Sequence, residues 1–222
     1  MRSNYLVVSD RPWGQYAFER AHLPSNWHFH SGELAKDWLP LMVPRYIFFI
    51  HYSKWVSAEI TERYEAVNFH LTDLPYGRGG SPLQNLIMLG ATETVITAHR
   101  MTQVVDAGPI YMERPLALYG TAEEVYLRAA HLCIDMAQEI AATEPESVSQ
   151  VGEVVTFKRR TPDQSWLPIE LDMEGLHDFI RMLDAEGYPK AFIEVNGYRL
   201  EFSRASLKTG RIEADVTITE VR

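Results

Sequence analysis

Four short apolar runs, at residues 5–8, 27–30, 46–50 and 67–70, constrain the fold of this chain more than any other feature. The first two stop at turn-forming residues, Ser9-Asp10-Arg11-Pro12 and Ser31-Gly32, as short buried strands do. The third, Tyr46-Ile47-Phe48-Phe49-Ile50, is apolar throughout, the pattern of a parallel strand covered on both faces. Residues 13–22, 32–41 and 58–65 fall between the runs and read as helices. Strands alternating with helices predict a parallel sheet with crossover connections, so the fold class is α/β.

Further along, the glycine-rich turn from Gly77 opens a helix at 83–88, residues 92–101 and 109–118 have strand character, and 121–142 has helical spacing. Thr121 is its expected N-cap, with Glu123-Glu124 in the first turn. A polar connector at 142–152 divides the chain into a core, residues 1–146, and a small α+β appendix, residues 147–222. The appendix holds a helix at 172–186, a hairpin at Asn196-Gly197 and a strand at 212–221.

Charge narrows the partners. The chain of 222 residues carries a formal charge of −9, with 11 basic against 17 acidic residues up to 150 and 10 against 13 after it. Neither half offers a basic field, so neither nucleic acid nor an anionic membrane is expected as a partner. No apolar run is long enough to span a bilayer. A single cysteine, Cys133, excludes an internal disulfide and a cysteine-rich zinc site, which leads to a cytoplasmic expectation. His28-Phe29-His30 has no acidic or Cys partner at ligand spacing and His-Glu-x-x-His is absent, so no metal is expected.

Chemistry concentrates in Asn68-Phe69-His70-Leu71-Thr72-Asp73-Leu74-Pro75 and the following Tyr76-Gly77-Arg78-Gly79-Gly80-Ser81-Pro82. Residues two apart share a strand face, so Asn68 and His70 point the same way at the C-terminal end of a parallel strand, where open α/β sheets bind ligands. An amide beside an imidazole suits a carbonyl that becomes tetrahedral: both can hold the oxyanion, and the imidazole can handle the proton of the attacking group. In Val104-Val105-Asp106-Ala107-Gly108-Pro109-Ile110, Asp106 could orient that imidazole. Taken singly, each motif is more often a turn than a site. Arg78 fits either an anionic ligand group or a surface turn.

Taken together, these segments resemble the catalytic domain of the folate-dependent formyltransferases. Five elements stand in register over residues 46–118: Asn68-Phe69-His70, Asp73-Leu74-Pro75, Arg78-Gly79-Gly80-Ser81-Pro82, Gly90-Ala91-Thr92-Glu93-Thr94 and Asp106-Ala107-Gly108-Pro109-Ile110. The resemblance implies an abbreviated Rossmann-like core, since only 67 residues precede Asn68. It implies Asn68, His70 and Asp106 as the catalytic trio and 10-formyltetrahydrofolate as formyl donor, with no metal. Tyr52, Ser53, Lys54, Trp55 and Val56 would contact the folate from one side, Gln103 and Val104 from the other, largely through main-chain groups. Trp55 is equally well placed as a packing residue.

The acceptor is chosen by length and charge. The appendix is short and acidic for a tRNA binder, and the segment from Phe157-Lys158-Arg159-Arg160 onward resembles small sugar-nucleotide N-formyltransferases. The expected acceptor is therefore the amine of a UDP-linked 4-amino-4,6-dideoxy sugar or a similar nucleotide sugar. Thr72, Tyr76, Arg78, Lys158, Arg159 and Arg160 are its candidate contacts, and the appendix alternatively supplies a homodimer surface. Methionyl-tRNA or glycinamide ribonucleotide as acceptor, hydrolysis of the folate, and a non-catalytic folate or nucleotide sensor are the alternatives.

Overall fold

The computed structural model describes residues 3–34 and 39–221. In chain order its elements are β1 (Asn4–Ser9), α1 (Pro12–Arg20), β2 (Trp27–Ser31), α2 (Leu39–Met42), β3 (Pro44–Phe49), α3 (Ala58–Arg63), β4 (Ala66–His70), β5 (Arg78–Gly79), α4 (Pro82–Met88), β6 (Glu93–Arg100), β7 (Ile110–Ala117), α5 (Ala122–Thr143), β8 (Thr156–Phe157), α6 (Met173–Leu183), β9 (Ala191–Val195), β10 (Tyr198–Lys208) and β11 (Arg211–Glu220). They form two compact units built from separate stretches. The first comprises Met1–Gly79, Thr94–Leu116 and Tyr126–Thr156; the second comprises Gly80–Glu93, Ala117–Val125 and Phe157–Arg222. The polar connector at 142–152 falls inside the first unit, and the second draws on two stretches well ahead of it.

The first unit holds a six-stranded sheet of order β2-β1-β3-β4-β6-β7. Strands β2, β1, β3 and β4 run parallel, and β6 runs antiparallel to β4. The apolar runs that predicted the strands supply the core: Leu6, Val8, Ile47 and Phe49 pack with Leu34, Val56 and Ile60. Each such side chain contributes roughly 1.5–3 kcal/mol of burial. Helix α1 begins hard against the end of β1, because a Cβ on Gly14 would meet Ser9 Oγ at 2.3 Å. Trp13 from that helix stacks on Tyr126 at 4.6 Å, and His51 lies edge-on to both rings. The predicted helix at 32–41 runs in part over residues outside the described ones, with α2 its described portion.

In the second unit, α6 and the antiparallel sheet β11-β10-β9 match the predicted α+β pattern. Asp172 caps α6 by accepting from Gly175 N at 2.8 Å, and the helix buries Phe179, Ile180, Met182 and Leu183. Asn196 and Gly197 take positive φ, 50° and 79°, as a two-residue hairpin turn demands. Gln84 Nε2 donates to Met182 O at 3.1 Å, and Arg181 Nη1 donates to Leu118 O at 2.6 Å and Gly120 O at 3.0 Å. Thr121 caps as expected: its Oγ1 accepts from Glu124 N at 3.3 Å, and Glu124 Oε2 accepts from Thr121 N at 2.8 Å. No helix among the described residues is long and apolar enough to cross a membrane.

Candidate active site

Strand β4 ends at His70, and its pleat puts Asn68 and His70 on one face. Antiparallel pairing with β6 sets His99 directly opposite Asn68 and Thr97 opposite His70, so His99 shares that face. The connection from β6 to β7 then folds back and delivers Asp106. Two backbone features shape it. Gly108 has no room for a side chain, since a Cβ would lie 1.8 Å from Arg100 O. Asp106 adopts φ 51°, a left-handed conformation that costs an L-residue about 1–2 kcal/mol and that Asp tolerates better than most.

The four side chains meet in a closed network. Asp106 Oδ2 accepts from Gly79 N at 2.9 Å and lies 3.5 Å from His70 Nδ1. Its Oδ1 lies 3.4 Å from His99 Nε2 and accepts from Asn68 Nδ2 at 3.5 Å. Asn68 Nδ2 is also 3.2 Å from His99 Nε2. On its far side, His70 Nε2 lies 2.8 Å from Gly77 O; both ring nitrogens face groups that only accept, and the shorter contact places the proton of the neutral ring on Nε2 and the lone pair on Nδ1.

Burial pulls the His70 pKa below its usual value, outweighing the opposite pull of Asp106 and Gly77 O. For Asp106, burial pushes the pKa up, but the His99 hydrogen bond, the His70 charge and the Gly79 N–H prevail and hold it at about 2. The site thus pairs a carboxylate that stays ionised with an imidazole that rests neutral and gains a charge partner on accepting a proton. That combination suits a general base whose imidazolium is stabilised on the spot.

The structure brings Asn68, His70 and Asp106 together, and sorts the other sequence candidates. Ser53 Oγ donates to Asp10 Oδ2 at 2.7 Å, and Lys54 and Trp55 are exposed. Tyr52 packs on Phe49, its hydroxyl accepting from Leu34 N at 3.4 Å, and Val56 sits in the core cluster. Gln103 Nε2 donates to Thr61 Oγ1 at 2.9 Å, joining the loop after β6 to helix α3, and Val104 is exposed. Thr72 is fully buried, Tyr76 is exposed, and Arg78 donates to Gln150 Oε1 from Nε at 3.1 Å and Nη2 at 2.6 Å. Lys158 and Arg159 are exposed in the second unit, where Arg160 is half-buried, with its guanidinium over the Phe179 ring. Sequence reasoning missed His99 and Gly79, which contact the carboxylate, and Gln150, which holds the backbone around it. The alternation Thr97-Ala98-His99 was the one available signal for His99.

The residues present also fit a folate. Trp55, Val104 and Val105 are 69%, 64% and 55% exposed, apolar surfaces suited to a flat ring. Among the described residues no group of His, Cys, Asp and Glu is arranged to hold a metal ion.

Comparison with known proteins first defines the class. HypX from Aquifex aeolicus in complex with tetrahydrofolic acid superposes with a TM-score of 0.74 at 17% identity, over 92% of this chain and 38% of that one. A 4-N formyltransferase from Francisella tularensis does so with a TM-score of 0.69 at 14% identity, over 90% and 96%. These similarities establish a shared formyltransferase fold. Methionyl-tRNA formyltransferase from Clostridium thermocellum is 43% identical over 99% of this chain and 100% of that one, with a TM-score of 0.92. The chain belongs to the formyltransferase family. Residues 162–219 also match the sequence model of the methionyl-tRNA formyltransferase C-terminal domain.

These findings overturn the nucleotide-sugar expectation. Sugar N-formyltransferases share only the fold, whereas the relative at 43% identity is a methionyl-tRNA formyltransferase of the same extent. The error lay in letting net charge exclude tRNA. A charge of −9 averages over the whole surface, while phosphate recognition depends on local clusters of Lys and Arg.

Proposed function

We propose that the protein transfers a formyl group from 10-formyltetrahydrofolate to the amine of methionyl-tRNA. One observation carries the acceptor: 43% identity over 99% of the chain to a methionyl-tRNA formyltransferase. The clustering of Asn68, His70 and Asp106 supports the chemistry.

When bound, the folate supplies the activated formyl group; Trp55 and the main chain of residues 52–56 and 103–104 would hold it. His70 Nδ1 takes the proton from the attacking amine, and Asp106 Oδ2, 3.5 Å away, stabilises the resulting imidazolium. Asn68 Nδ2–H would then donate to the oxygen on which negative charge develops, and as that charge collapses the bond from the formyl carbon to the folate nitrogen breaks, with the proton held on His70 Nδ1 passing to that nitrogen, so that tetrahydrofolate and the formylated amine leave. Gly77 O keeps His70 in the one tautomer that leaves Nδ1 able to accept. Asp106 remains ionised throughout, as its low pKa requires.

The test is direct. The protein is incubated with 10-formyltetrahydrofolate and, separately, methionyl-tRNA, glycinamide ribonucleotide or a set of nucleotide-linked amino sugars, and products are read by mass spectrometry. Formylmethionyl-tRNA as the principal product is expected. Formylation of another acceptor with methionyl-tRNA untouched, or formate release at the same rate without acceptor, refutes the proposal.

A further inference from the structure

The polar connector contains a residue that the trio alone does not account for. Gln150 Nε2 donates to Asp106 O and Gly108 O, both at 2.8 Å, bracketing the turn in which Asp106 takes its left-handed conformation. At its other end, Oε1 accepts two bonds from the Arg78 guanidinium. The chemistry leaves no ambiguity about which way this amide points: a guanidinium only donates and carbonyls only accept, so oxygen faces Arg78 and nitrogen faces the loop. All four residues belong to the first unit.

The geometry points to Gln150 as a positioning residue for formyl transfer, acting through Asp106, with Arg78 fixing the direction of its amide. The backbone strain at Asp106 persists only where surrounding bonds impose it, and Gln150 supplies two of them. The carboxylate they place must serve Gly79 N, His70 and His99 at once. Displacement by about 1 Å can cost on the order of 10²-fold in rate. This inference rests on the formyl-transfer reading for its kinetic arm only.

Gln150→Glu separates the two ends of the clamp. A glutamate keeps an acceptor for Arg78, and strengthens it, while removing the N–H donors to Asp106 O and Gly108 O. If Gln150 merely anchored Arg78, this variant would retain activity. Both Gln150→Glu and Gln150→Ala are instead expected to lower kcat about 10- to 100-fold, with KM for 10-formyltetrahydrofolate within about 3-fold of the parent and an unchanged circular dichroism spectrum.

A second readout needs no acceptor. The groups facing His70 are Asp106, which raises its pKa, and His99, which lowers it. In Gln150→Ala the His70 ring, followed by NMR and assigned by the signal that His70→Gln removes, is expected to titrate at lower pH than in the parent because the carboxylate has moved away. A folded Gln150→Glu protein with kcat within twofold of the parent, or an unaltered His70 titration in Gln150→Ala, overturns the inference. If the parent does not formylate methionyl-tRNA, the functional proposal fails, and the NMR arm still decides the role of Gln150.

Discussion

Two neighbouring strand ends in the first unit are built in opposite ways. At the end of β4, Asn68, His70, His99 and Asp106 converge in one network that also takes in backbone groups, with side chains of His70, His99 and Asp106 only 7%, 3% and 10% exposed. At the end of β3, by contrast, Ser53, Lys54 and Trp55 are open to solvent, while His51 lies edge-on to the stacked rings of Trp13 and Tyr126. The first arrangement raises the strength of each electrostatic interaction by excluding water. The second leaves apolar area for a ligand to cover. Under the proposed function chemistry and binding fall to different strand ends, and substitutions at the two should damage different kinetic constants.

The largest expected effect tests the β4 side. His70→Ala should lower kcat roughly 10²- to 10⁴-fold while leaving the thermal melting curve intact. A fully active variant, measured by single-turnover formylation, would remove the β4 end from the chemistry. Next is the loop that delivers the carboxylate: Gly108→Ala places a Cβ against Arg100 O and should destabilise the fold by about 3 kcal/mol in urea titration.

A comparable effect should come from His51, where burial dominates and holds the pKa at about 4 against an ordinary 6.5. Between those values the unfolded chain binds a proton that the native state refuses, so stability falls as pH drops from 6.5 towards 4, by at most about 3 kcal/mol. In His51→Phe, chemical denaturation across that range should lose this slope. The smallest effect belongs to the exposed ring at the β3 end: Trp55→Ala should raise KM for 10-formyltetrahydrofolate severalfold with kcat nearly unchanged. A fall in kcat with no change in KM would blur the division between the two ends.

Much of this was legible in the sequence because it depends on local pattern. Continuous apolar runs such as Tyr46 to Ile50 announce parallel strands, and the two-residue pleat alone places Asn68 beside His70. Asp106 was found through its motif rather than through distance. What stayed hidden depends on pairing register and chain folding. His99 joins the site only because β6 pairs antiparallel with Asn68 opposite it. Gln150 stands in a stretch whose composition reads as a linker, yet its amide closes the Asp106 turn 44 residues upstream. The nucleotide-sugar expectation failed because total charge says nothing of how Lys and Arg are distributed over the surface.

The discontinuous make-up of the second unit bears on how the protein is born. A ribosome delivers residues 80–93 and 117–125 well before residues 157–222 exist. Until α6 is synthesised, the carbonyls of Leu118 and Gly120 wait for the Arg181 guanidinium, and Gln84 for Met182. A nascent chain halted near residue 156 therefore exposes two orphaned segments in the middle of its sequence. A premature stop there would yield a species for chaperones and proteases to triage, instead of a free-standing catalytic core.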